Sequence, residues 1–120
     1  MYCLDTYALW EIQHANPKYS LFSNEPFVIA EWTFVEFYRS ILKQYDKLTA
    51  DYWLRKLQPF IRKVEIDTLL HAVVFQEENK KTDMSIYDCV GYTFAQENAL
   101  LFVTGDKEFK EREGVLFIQK

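Results

Sequence analysis

Four acidic residues stand where carboxylates could work together, although they are far apart in the chain. Asp5 ends the apolar run Met1–Leu4, and Asp106 follows the apolar run Leu100–Val103 through Thr104-Gly105. Asp88 lies in the first turn of the helical stretch that Ser85 opens, and Glu36 lies inside a helical stretch from Glu31 to Lys43. Each has an ordinary structural explanation. Asp is a good helix N-cap, and a helical stretch follows both Asp5 and Asp106. Ser85-Ile86-Tyr87-Asp88 fits a capping box, in which the acid reaches back to the backbone N–H of the capping Ser. Arg39, three residues after Glu36, offers it a surface ion pair.

In combination the acids suggest a different chemistry. Carboxylates gathered at one edge repel each other, and a hard divalent cation relieves that repulsion. Mg²⁺ takes oxygen ligands, keeps several waters, and is held by few carboxylates plus substrate phosphate. Such a metal can polarise a phosphodiester and lower the pKa of an attacking water. Asp88 has Gly91, Tyr92 and Ala95 as neighbours along its helix face, an uncomfortable setting for a carboxylate unless it is paired or metal-bound. Gly91 costs a helix about 1 kcal/mol relative to Ala, which implies close packing there. Other chemistries lack their residues. The chain has only three glycines, with no G-x-x-x-x-G-K, G-x-G-x-x-G or G-x-S-x-G pattern. His14 and His71 have no zinc spacing and read as ordinary helix residues. Cys3 and Cys89 form no C-x-x-C pair and read as buried thiols of a reducing cytoplasm, not as a disulfide or a zinc site.

The elements that must position these residues follow from composition and pattern. A length of 120 residues fits one compact domain, residues 1–120. With 49% hydrophobic and 27% charged residues the chain should fold. A net charge of -4 argues against a general nucleic-acid coat protein. It leaves room for a nuclease, because a bound metal adds positive charge that residue counts omit. No apolar run approaches the roughly 18 residues of a membrane span, and a strand-like run starting at residue 2 leaves no targeting segment. Strands are expected at Met1–Leu4, Phe27–Ala30, Val64–Ile66, Leu100–Val103 and Val115–Ile118. Helices are expected at Thr6–Ala15, Glu31–Lys43, from Thr49 to about Gln58, at Asp67–Gln76 with Leu69, Leu70, Val73 and Val74 on its apolar side, and at Ser85–Asn98, with a short one at Lys107–Arg112. Ser20–Pro26 and Glu77–Thr82 read as connections. Short, wholly apolar strands alternating with helices imply a mainly parallel sheet covered on both faces, a three-layer α/β/α sandwich. Ligands bind such sheets beyond the carboxyl ends of the strands, where Asp5 and Asp106 stand.

Four short segments carry a resemblance. Leu4-Asp5-Thr6 with Ala8-Leu9, Trp32-Thr33-Phe34-Val35-Glu36-Phe37, Ser85-Ile86-Tyr87-Asp88 with Ala95, and Leu101-Phe102-Val103-Thr104-Gly105-Asp106-Lys107-Glu108-Phe109 resemble, in order, the four acidic segments of PIN-domain proteins. Size and the lack of further domains look most like the VapC-type toxins of toxin–antitoxin pairs. The resemblance implies a metal-dependent endoribonuclease acting on single-stranded RNA with Mg²⁺ or Mn²⁺. It gathers Asp5, Glu36, Asp88 and Asp106 in one pocket, with Asp5, Asp88 and Asp106 on the metal and Thr104 supporting by hydrogen bonds. It also implies an antitoxin partner and a homodimer. Trp32, Phe34, Phe37, Tyr38, Trp53 and Phe60 lie on adjoining helices; most read as core, but they exceed what so small a domain readily buries, which also favours pairing. Lys80, Lys81, Lys107, Lys110 and Arg112 are the expected phosphate contacts. Tyr7 stands where the family often has a small polar residue, and with Trp10 it would narrow the pocket. Two alternatives remain: an interaction module with an idle pocket, and an RNA-processing nuclease without an antitoxin.

Overall fold

Apolar runs too short to form helices pair instead with one another. In the computed structural model, which describes residues 1–120, they form β1 (Tyr2–Leu4), β2 (Phe27–Ala30), β3 (Ile61–Arg62), β4 (Leu101–Thr104) and β5 (Val115–Phe117). The helices are α1 (Thr6–Gln13), α2 (Glu31–Gln44), α3 (Lys47–Leu57), α4 (Ile66–Glu78) and α5 (Ile86–Glu97). Single 3₁₀ segments occupy Pro17–Ser23, Gln58–Phe60 and Lys107–Phe109. The strand order is β3-β2-β1-β4-β5, and each neighbouring pair is parallel.

Alternation along the strands sorts the core into two layers, because successive side chains point to opposite faces. Cys3, Val28, Ala30 and Phe102 pack with residues of α4 and α5. Leu4, Ile29 and Val103 pack with residues of α1, α2 and α3. The expected α/β/α sandwich is therefore the observed one. Gly91 of α5 packs closely on the sheet and on α2: a Cβ there would stand 3.1 Å from both the Phe102 ring and Thr33 Oγ1. This is the close packing that a glycine inside a helix predicts.

Three expectations need correction. The third strand is Ile61–Arg62, not Val64–Ile66. Val64 is buried in the following loop, where its N–H donates to Glu31 Oε1 at 2.8 Å, and Ile66 opens α4 exposed. The charged stretch after Asp106 forms one 3₁₀ turn, because Phe109 is drawn fully into the core beside Phe102. In α4, of Leu69, Leu70, Val73 and Val74 only Leu69 packs inward. Thr68 and Ala72 are the buried residues of this helix. Their small side chains let α4 lie close on α5, and the bulky aliphatics remain outside. Thr68 Oγ1 also donates to Glu97 Oε1 across the α4–α5 seam at 2.6 Å.

Topology defines where a ligand could reach the sheet. From β1 the chain builds outward to β2 and β3, then crosses to add β4 and β5 on the other side of β1. The strand order thus reverses between β1 and β4, and the crevice at their carboxyl ends is the position such sheets offer to ligands.

Candidate functional site

Asp5 and Asp106 stand at the carboxyl ends of those two adjacent strands. The Asp5 N–H donates to the Val103 carbonyl at 3.1 Å, which continues the ladder of β1 and β4 past Leu4. The Asp5 side chain is 2% exposed. Its Oδ1 accepts the Ala8 N–H at 2.8 Å and caps α1. Asp106 Oδ1 accepts the Glu108 N–H at 3.0 Å and caps the 3₁₀ turn. Asp88 donates its N–H to Ser85 Oγ at 3.1 Å, and its carboxylate receives hydrogen bonds from Ser85 in return, the reciprocal capping box. The ordinary explanation of all three acids is thus correct. They also line a single open cleft of ≈ 520 Å³, together with Asp83, Glu108, Lys107 and Lys120.

Thr104 ties two of the acids together. It is fully buried. Its hydroxyl donates to the Asp5 carboxylate and accepts the Asp106 N–H at 3.0 Å. One hydroxyl uses both its donor and its acceptor capacity to fix the strand-end acids relative to each other.

The acids act on one another. Burial pushes the Asp5 carboxyl well above the usual range, and the charges of Asp88 and Asp106 add to it, against hydrogen bonds from Thr104 and Ala8. Burial, then the charges of Glu36 and Asp106, raise Asp88 to about 6. Glu36 makes no ion pair with Arg39. It accepts a hydrogen bond from the Thr6 hydroxyl instead, directly after Asp5 in sequence. Its charge therefore reaches the acidic group, although Glu36 is not among the residues lining the cleft.

A divalent cation suits the donor set in chemistry. All the candidate donors are oxygens, and two of the carboxyls are strained by burial and mutual repulsion, which a cation would relieve. In arrangement the acids are looser than one coordination sphere: no three His, Cys, Asp or Glu side chains stand close enough to share an ion. Mg²⁺ does not need three, since it usually keeps several waters and takes one or two carboxylates directly.

Among the basic residues expected at the rim, Lys107 lines the cleft. Lys80, Lys81, Lys110 and Arg112 do not. Lys80 pairs with Glu77 at 3.4 Å, and Lys81 is exposed beside it. The Lys110 ammonium lies over the Phe117 ring. Arg112 covers the Phe75 ring and donates to Asn79 Oδ1 at 2.6 Å, which holds it in an adjoining cleft. Sequence reasoning missed Asp83, Glu108 and Lys120. Lys120 arrives because the tail after β5 folds back, its N–H donating to the Tyr7 hydroxyl at 3.1 Å; no local pattern signals that. Tyr7 itself lines the cleft and packs against Gly105, where a Cβ would come within 2.1 Å of the ring. Trp10 faces a neighbouring cleft instead.

No protein-family profile matches the sequence, and no curated protein sequence matches it. Solved structures match over nearly the whole chain. A toxin–antitoxin complex from Klebsiella pneumoniae superposes with a TM-score of 0.78 at 18% identity, covering 100% of both chains. Mycobacterium tuberculosis VapC20, a toxin that cleaves the sarcin–ricin loop, gives 0.78 at 13% identity over 100% of this chain and 98% of that one. DNA-bound VapBC from Salmonella typhimurium gives 0.75 at 16% identity, with coverage of 98% and 96%. The fold is that of a VapC-type PIN domain.

Proposed function

With a VapC-type fold as premise, we propose that the chain is a Mg²⁺- or Mn²⁺-dependent endoribonuclease that cleaves single-stranded RNA. We propose that it is the cytoplasmic toxin of a toxin–antitoxin pair. The observation that carries the reading is that Asp5, Asp88 and Asp106, separated by most of the sequence, line one cleft at the switch point of the sheet. The likeness to a toxin that cleaves the sarcin–ricin loop and to toxin–antitoxin complexes supports it. A homodimer joined along α4 is part of the proposal, on the grounds of the exposed aliphatic residues Ile66, Leu70, Val73 and Val74.

Among Asp5, Asp88 and Asp106, one or two carboxylates would hold the cation directly and the rest through its waters, with Glu36 adding negative charge behind them. When bound, the cation supplies Lewis-acid stabilisation of phosphoryl charge and a more acidic water. The chain's own residues do the rest. Thr104 holds the Asp5 carboxylate in one orientation. Lys107 and Lys120 flank the acids and can place the phosphate backbone without reading bases. Tyr7, lying on Gly105, shapes the mouth of the cleft.

The test is cleavage of a single-stranded RNA with Mg²⁺ or Mn²⁺, abolished by chelation. Asp5→Asn and Asp106→Asn should each lower the rate by at least about 100-fold, more than the loss typical of residues that only support a metal ligand. Fold should be kept, because Asn caps helices as well as Asp does. Unchanged cleavage by both variants would remove the mechanism and leave only the capping roles. A second reading, an interaction module with an idle pocket, is favoured by the absence of three acids close enough to share an ion. It predicts no cation-dependent cleavage from the wild-type chain.

A further inference from the structure

A second cavity, of ≈ 410 Å³, lies beside the acidic cleft, between α1 and the C-terminal half of α2. Its volume is in the range of small-ligand sites, roughly 300–1,000 Å³. Tyr7 and Lys120 line both clefts, so a strand leaving one enters the other. Trp10 forms a wall of the second cleft and is only partly buried. The Trp10 ring is held from outside the cleft: Tyr45 stacks on it with centroids 6.3 Å apart, and the His14 ring meets it edge-on at 5.1 Å. A ring fixed in advance gives up little freedom when a ligand stacks on it. Glu11 lines the cleft as a buried residue, with Oε1 accepting the Asn16 amide at 2.8 Å. Lys43 and Lys120 are exposed at the rim.

We propose that this second cleft is a nucleotide subsite for an unpaired base of an RNA strand whose phosphodiester lies in the acidic cleft; it rests on the ribonuclease reading. The base stacks on Trp10, and the flanking phosphates meet Lys43 and Lys120. The distribution of charge dictates that orientation. A phosphate is repelled by Glu11 and attracted by the lysines, so the backbone stays at the rim and the uncharged base goes inward. The base must be unpaired, since a face already stacked in a helix is not free for the ring. An apolar peptide fits less well, because Tyr7 and Trp10 are the cleft's only hydrophobic residues and two lysines and a buried carboxyl surround them. Stacking accepts any base, so the subsite adds affinity and register more than sequence preference.

The experiment measures binding in chelator, so that no cleavage intervenes. The probe is a short fluorescein-labelled single-stranded RNA, read by anisotropy, and the same RNA with an abasic site moved along it. Trp10→Ala should weaken binding about 5- to 100-fold, and Trp10→Phe should weaken it less. One abasic position should cost the wild-type chain a similar factor and cost Trp10→Ala nothing. Lys43→Ala should reduce the salt dependence by about one phosphate contact. Trp10→Phe keeps a ring in place and remains informative if the alanine variant does not fold. Wild-type affinity in both Trp10 variants, or insensitivity to every abasic site, overturns the proposal; a peptide occupant predicts that result. The outcome is separable from the ribonuclease reading. Cleavage with abasic-insensitive binding sinks only the subsite, and abasic-sensitive binding without cleavage sinks only the nuclease.

Discussion

Thr104 and Asp88 make the residue scale testable. The Thr104 hydroxyl is the group that opposes the upward push of burial on Asp5 most strongly. Thr104→Val removes it at nearly constant volume and leaves Asp5 buried with one fewer donor. Cleavage should fall about 10- to 100-fold, the loss usual for groups that orient a metal ligand, and Thr104→Ser should restore most of it. An unaltered rate in Thr104→Val would limit the hydroxyl to joining the strand ends. Asp88 predicts a pH effect on the metal-free protein. Its folded value, about 6, lies above the ordinary 3.8. A raised acid favours its protonated form in the fold, so this stability is present below the ordinary value and is lost as pH rises through about 6. The gap corresponds to about 3 kcal/mol. Asp5 shifts in the same direction. Urea unfolding in chelator should therefore show greater stability near about pH 4.5 than near about pH 8, and Asp88→Asn should flatten that slope. A flat wild-type profile would contradict the burial argument. The same residues show how far local reading reaches. Asp5, Asp88 and Asp106 were legible because strand ends, caps and capping boxes are patterns of three or four residues. The choice of Thr6 by Glu36, in place of Arg39, depends on α1 and α2 lying side by side, and no spacing along α2 carries that information.

At the scale of elements, Gly91 decides how near α5 can bring Asp88 to the strand ends. Gly91→Ala gains about 1 kcal/mol of helix propensity. Against that, the new Cβ would stand 3.1 Å from Thr33 Oγ1 and from the Phe102 ring, both in fully buried surroundings. Overpacking of that kind costs about 1–3 kcal/mol. The net expectation is a loss of about 1 kcal/mol in chemical unfolding, with slower cleavage because α5 carries Asp88 outward. A stabilised variant would show that α5 has room to spare. Four of the five strands and all five helices were legible from apolar runs and 3.6-residue periodicity. β3 was not, since a two-residue strand has no period, and Ile61–Arg62 is recruited by its pairing with Ile29–Ala30. The outward face of α4 was misread for a different reason. A helix with Leu69, Leu70, Ala72, Val73, Val74 and Phe75, broken only by His71, is apolar nearly all round, so periodicity cannot choose its buried side. Close contact with α5 through Thr68 and Ala72 makes that choice.

The whole molecule leaves an aliphatic stripe on α4 without an intramolecular partner. Ile66, Leu70, Val73 and Val74 recur at helical spacing along α4 and are 64%, 55%, 52% and 54% exposed. The case for pairing made from aromatic content does not hold in the form expected. Phe34 and Phe37 are buried, and Trp32, Tyr38, Trp53 and Phe60 pack partly buried against the two cores. The fold absorbs these six aromatics; what it leaves outside on α4 is aliphatic. An exposed apolar stripe of this length marks an interaction surface more often than free solvent-facing helix, and α4 lies on the face of the sheet opposite α1. Two copies joined along α4 would each keep the second cleft, between α1 and α2, on the far side from the seam. The expectation is a particle of twice the 14.4 kDa chain mass by light scattering at micromolar concentration. Leu70→Glu combined with Val73→Glu should yield the single-chain mass. Stability of each chain should change little, by about 0.5 kcal/mol per exposed site at most, apart from whatever pairing itself contributes. A wild-type chain that is already monomeric would count against the dimer, and a double variant that stays paired would move the seam to another surface.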